Sequence, residues 1–181
     1  MKSLSKNDGY FRKEFVIAFI IVFALSAVFE VIGMNEGYVA SPEQVNETIT
    51  WISEMRQTAT WFNIFTNNIM IAYLGAIPIV GFVFYFFVSY NTGTVYGNLG
   101  QYYNLSLGQT YSLDFTNPIG ILEEIAMTLL IAESILIVYL LIKDREEVVE
   151  RLKTHSWKSF IICTVLLFIG AVIEAWLINI S

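Results

Sequence analysis

A single cysteine, Cys163, stands in this chain, so no intramolecular disulfide can form. It falls inside a long apolar run, where a lone thiol reads as core packing. There is also a single histidine, His155, in a charged stretch with no Cys or His partner nearby. A Cys–His nucleophile would have to join a lipid-buried thiol to a ring in a polar loop. No Walker loop, no G-x-S-x-G, no Ser/His/Asp set and no metal-binding cluster is present. The chain is therefore expected to be no enzyme and to need neither cofactor nor metal. Charge is scarce as well: 14% of residues are Asp, Glu, Lys or Arg, and the net charge is −6. An acidic balance argues against nucleic acid as a partner.

What is abundant is apolar surface. Hydrophobic residues make up 56% of the chain, more than a soluble domain carries. They come in runs, at Phe15–Met34, Ile119–Ile142 and Ser159–Ile178. A helix needs roughly 20 residues to cross a hydrocarbon core of ~30 Å. Helices satisfy their own backbone groups in lipid, and these runs do not alternate as barrel strands do. The fold class expected is all-α, a polytopic transmembrane helical bundle in a single integral membrane domain, residues 1–181. A cleaved leader with small residues Ala24 and Ser26 is the alternative for the first run. Its length, and Glu30 near its outer end, argue against that.

Of the ten Lys and Arg residues, all but Arg56 fall in two stretches. Lys2, Lys6, Arg12 and Lys13 precede the first run; Lys143, Arg145, Arg151, Lys153 and Lys158 precede the last. Cytoplasmic loops collect such residues, so both stretches are assigned to the cytoplasm of a multi-pass cell-membrane protein. The C-terminus is then outside. The chain between the stretches must cross an even number of times. The helices at 15–34 and 118–142 supply two crossings. Residues 62–97 supply two more or none, because Gly75, Pro78 and Gly81 break what would otherwise be one over-long helix. Two short crossings, 62–75 and 77–97, hinged at Gly75–Pro78, are preferred and give about five in all. A re-entrant pair satisfies parity equally well. The remaining parts are a cytoplasmic tail (1–14), an outer loop (98–117), a basic cytoplasmic loop (143–158), which reads as a short solvated helix, and a last crossing (159–178).

Residues 35–61 read as an outer segment. Ser41-Pro42-Glu43-Gln44 has the form of a capping box with proline at the first helical position. Val45, Ile49, Ile52 and Met55 then recur at helical spacing, as in an amphipathic helix on the outer surface. Trp51 and Trp61 suit the interfacial belt. The N-x-[ST] sequons at Asn46, Asn104 and Asn179 all fall in segments that parity puts outside; they are candidate glycosylation sites and hint at a glycosylating, archaeal host.

Ionisable residues inside membrane runs are costly, so they mark candidate sites. Glu30, Glu123, Glu124, Glu133 and Glu174 qualify, and no Lys or Arg lies at comparable depth to neutralise them. Counting along each helix puts Glu30, Glu123, Glu174, Asn67 and Asn68 in one layer about 6 Å below the outer surface. That layer is either glue between helices or a place for a cation or proton. Glu133 lies deeper and about 80° around its helix from Glu123. Glu124 is expected to point toward the headgroups. Gly93 and Gly97 form G-x-x-x-G, which lets helices approach closely.

These residues occur in an ordered series: Asn67-Asn68, Gly75, Gly81, Asn91-Thr92-Gly93, Gly97, Pro118-Ile119-Gly120-Ile121-Leu122-Glu123-Glu124-Ile125-Ala126 and Ala171-Val172-Ile173-Glu174-Ala175. The series resembles the stage II sporulation protein M family of small integral membrane proteins over about residues 65–178. That family carries an Asn-Asn pair, an Asn-Gly step with a later Gly, a Pro-His-Gly-x-x-Glu-x-x-Ala motif and an Ile-Glu pair. The resemblance marks Asn67, Asn68, Pro118, Gly120, Glu123 and Glu174 as motif positions. Two departures stand out: Ile119 replaces the family's histidine, and Thr92 lengthens the turn expected at Asn91–Gly93. The resemblance implies about five crossings. The founding member looks like a scaffold for wall-remodelling enzymes in spore-forming bacteria. A non-enzymatic scaffold is therefore expected, with membrane lipid and other membrane or envelope proteins as partners and with self-association left open. The rival is a small cation or proton channel, or a transporter component.

Overall fold

The computed structural model describes residues 9–180, and these form helices and turns without a strand. Lys2 and Lys6 of the first basic stretch lie outside the described residues. Eight helices follow in order: α1 Lys13–Tyr38, α2 Pro42–Gln57, α3 Trp61–Gly75, α4 Val80–Tyr102, α5 Leu107–Phe115, α6 Pro118–Lys143, α7 Arg145–Arg151 and α8 Trp157–Ile180. A π turn, Leu152–Ser156, makes α7 and α8 one continuous helical run. Three stretches are long and apolar enough to cross a membrane: α1, α6 and the run Arg145–Ile180.

Capping residues set where the helices begin. The Ser41 hydroxyl accepts from the Gln44 N–H at 3.3 Å while the Gln44 side chain accepts from the Ser41 N–H at 3.0 Å. Ser106 and Gln109 repeat the device and start α5, a helix within the stretch read as an outer loop. Asn117 caps α6 by accepting from the Ile119 N–H at 3.1 Å, with Pro118 in the first turn where its missing N–H leaves nothing unpaired.

α6 is the centre of the bundle. Every residue from Ala126 to Ser134 is buried, whereas α1 and α8 turn large apolar residues such as Ile20, Val28, Ile161 and Trp176 outward. One core cluster gathers Val22, Ala72, Tyr85, Ala126, Leu130, Ile131, Cys163 and Leu167. A second, nearer α7, holds Phe15, Leu129, Leu136, Leu140 and Val148.

α1 and α4 run parallel and pack backbone to backbone. A Cβ on Gly93 would overlap the Glu30 carbonyl, and one on Gly97 the Met34 carbonyl. Reciprocally, Gly33 meets Tyr90 and Gly37 meets Thr94. The small residues at 93 and 97 thus face a second G-x-x-x-G, at 33 and 37, that went unread in the sequence. Asn91-Thr92-Gly93 lies inside α4, with the Asn91 amide donating to the Phe87 carbonyl at 2.7 Å, so the turn expected there is absent.

The chain does break between Gly75 and Val80. Ile79 sits at φ 71°, and the Val80 N–H donates to the Pro78 carbonyl at 2.8 Å across it, a γ-turn. Gly81 approaches the carbonyls of Leu74 and Gly75 too closely for any side chain. Gly75 itself rests on Ile131, near the midpoint of the 26-residue α6. The α3–α4 pair therefore turns halfway along the central helix rather than at its far end.

Candidate functional site

The elements at the α2/α5 end of the bundle enclose a cavity of about 510 Å³. Five carboxyl residues line it: Glu30 from α1, Asp114 from α5, Glu123 and Glu124 from α6, and Glu174 from α8. Asn67, Asn68, Asn117, Tyr85 and Tyr96 add amides and phenols, and no Lys, Arg or His takes part. Gly120 also lines the wall, and Pro118 stands at the start of α6.

Hydrogen bonds organise two sides of this cavity. Asn68 donates to Glu123 Oε1 at 2.6 Å and accepts from the Asn67 amide at 3.3 Å. Gly170 of α8 leaves room for the Glu123 side chain, with its Cβ position 3.4 Å from Glu123 Cγ. On the other side Ser26 donates to Glu124, and Thr128 donates to the same oxygen at 3.3 Å. Glu124 thus points into the bundle, not toward the headgroups as expected. The i to i+4 spacing to Thr128 on α6 turns it toward Ser26 of α1. Asn117 donates to the Tyr96 hydroxyl at 3.3 Å.

Asp114 carries no such support. It is nine-tenths buried, and its Oδ2 has no hydrogen-bond partner among the described residues. Burial, and then the Glu124 carboxyl, push its pKa up to about 6. Reading 98–117 as an open loop hid Asp114. The signal that would have found it is Ser106-x-x-Gln109, the same capping pattern that was recognised at Ser41.

Glu133 does not join this group. It is 1% exposed and forms a two-pronged pair with Arg151, itself 4% exposed: Nε to Oε1 at 2.8 Å and Nη2 to Oε2 at 2.6 Å. Ser156 donates to Oε1 at 2.7 Å, and Arg151 Nη1 reaches the Tyr10 carbonyl at 3.1 Å. The guanidinium also lies over the rings of Tyr10 and Phe15. The expectation that no base lies at carboxyl depth therefore fails at Glu133. The cause is the loop, which folds α7 back onto α6 and buries one of its arginines instead of leaving all of them in solvent.

The sequon residues Asn46 on α2, Asn104 after α4 and Asn179 in the last turn of α8 are all exposed at the α2/α5 end. Among the described residues no group of three His, Cys, Asp or Glu side chains is arranged to hold a metal ion.

Three membrane-length apolar helices, packed around an acid- and amide-lined cavity, define an integral membrane helical bundle. The chain belongs to the Stage II sporulation protein M family, whose pattern it matches over residues 16–177. No curated protein and no solved structure matches it.

Proposed function

We propose that this protein is a non-enzymatic scaffold of the cell membrane that holds other envelope proteins through its outer face. The α7 end, with its basic residues, is the cytoplasmic one, and the C-terminus is outside. The α3–α4 pair is re-entrant, dipping from the outer side to mid-depth and returning. That depth is supported by Gly75 resting on Ile131.

One observation carries the reading. α2 is tied down in its first half, by buried Val45 and by the Asn98 amide donating to Thr48 at 2.8 Å. Its second half stands over a groove of about 830 Å³ shared with α3 and α8, whose apolar wall includes Trp51, Ile52, Met55, Ile64 and Leu177. Such a groove at the lipid–water boundary suits a segment of another membrane or envelope protein. The role of the family's founding member points the same way. A photo-crosslinker at Met55, activated in native membranes, tests it. Discrete protein adducts that vanish when Ile64→Trp fills the groove are expected, and adducts to lipid alone would sink the proposal.

The second reading, a small cation or proton channel or a transporter component, is favoured by the five carboxyl residues around one cavity. It requires flux through purified protein in liposomes that Glu123→Gln and Glu174→Gln abolish; a scaffold passes no ions.

A further inference from the structure

The acidic cavity has a chemistry that the scaffold reading does not use. Its wall carries five carboxyl residues and no base. The buried arginine that could have balanced them, Arg151, is committed to Glu133 at the α7 end. Mutual repulsion and burial leave such a group short of positive charge. Asp114 marks the shortage, being nine-tenths buried on the cavity wall with one carboxyl oxygen unpartnered among the described residues.

We propose that this cavity binds a small organic cation, its ammonium groups held at Asp114 and at the Glu123–Glu174 pair and its carbon body lying against Tyr85, Tyr96 and Phe115. The volume, about 510 Å³, falls in the range of small-ligand sites. An ammonium group donates to several carboxylates at once and is attracted by aromatic faces. A bare metal ion fits less well, because the carboxyl groups are not gathered as ligands around one point. The way in is the outer groove, since Asn67, Asn68, Glu123 and Glu174 line both the groove and the cavity. The ammonium group can come from a free amine or from an ethanolamine headgroup in the outer leaflet.

The test uses the full chain in nanodiscs of phosphatidylglycerol, in an amine-free buffer, titrated with putrescine by calorimetry. Saturable binding is expected. Asp114→Asn and Glu174→Gln should each weaken it about tenfold or more, as loss of a charge-assisted hydrogen bond does. Glu43→Gln and Glu54→Gln on α2 should leave it unchanged. Binding only of headgroup, seen as retention of phosphatidylethanolamine by the wild type and not by Asp114→Asn, keeps the ammonium site and assigns its source to lipid. The proposal is overturned if neither amine source binds, if calcium saturates the site and amines do not, or if both cavity variants bind putrescine as the wild type does.

Discussion

Arg151 and Glu133 sit 18 residues apart in sequence, across the α6–α7 junction, and meet in a buried two-pronged ion pair. Removing one member strands a charge that neither lipid nor core can solvate. Arg151→Met or Glu133→Leu alone should each cost about 3–5 kcal/mol, while the double change should recover much of the loss, as buried pairs replaced by apolar residues do. Unfolding in mild detergent measures all four members of this cycle. A single-variant loss below about 1 kcal/mol would show that the pair contributes little.

The α1–α4 contact leaves no room for a methyl group. Gly93→Ala should force the two backbones apart and lose about 1–3 kcal/mol or more, typical of overpacking. Gly108→Ala, in α5 with nothing within 4 Å of its Cβ position, should be neutral or gain up to about 1 kcal/mol from helix propensity. Equal thermal shifts in the two variants would contradict the packing described.

Asp114 gives the fold a pH dependence of known sign. Its folded pKa is about 6 against an ordinary 3.8, so between those values the native state holds a proton that the unfolded state has released. Stability from this residue is therefore full at low pH, declines as pH rises from near 3.8 through about 6, and stays reduced above that. Asp114→Asn should remove that decline and raise stability at neutral pH by about 1–3 kcal/mol. Melting curves of the two proteins across this window read the difference. Parallel curves would count against the burial described for Asp114.

The proposed sidedness rests on the basic stretches. Cysteines placed at Gly108 and at Lys153 should react with a membrane-impermeant maleimide from opposite faces, with native Cys163 buried and silent. Labelling of both from one face would falsify the proposed orientation.

Much of this architecture could be read from residue order. The three long apolar runs, the Ser41–Gln44 cap and the break at Gly75–Pro78 each rest on local chemistry, and local chemistry is legible. So were the residues of the polar layer, because a carboxyl or an amide in an apolar run has few reasons to be there. Longer-range facts were not. Parity cannot distinguish a pair that crosses from one that turns at mid-depth, since both return the chain to the same side. Composition cannot show which arginine of a mixed-charge loop folds inward; Arg151 does so because the chain turns at extended Asp144 and lays α7 alongside α6. The inward turn of Glu124 depends on Ser26, almost a hundred positions earlier.

The γ-turn at Ile79 bears on how an irregular stretch survives without water. In hydrocarbon an orphaned N–H costs several kcal/mol. The amides of Ala76 and Ile77 donate to the α3 carbonyls of Ala72 and Leu74, and those of Val80 and Gly81 to the carbonyls of Pro78 and Ile77. Pro78 has no amide hydrogen to satisfy. The imino acid that interrupts the helix thus also takes away one donor that an apolar interior would penalise, at the point where the chain reverses direction halfway along α6.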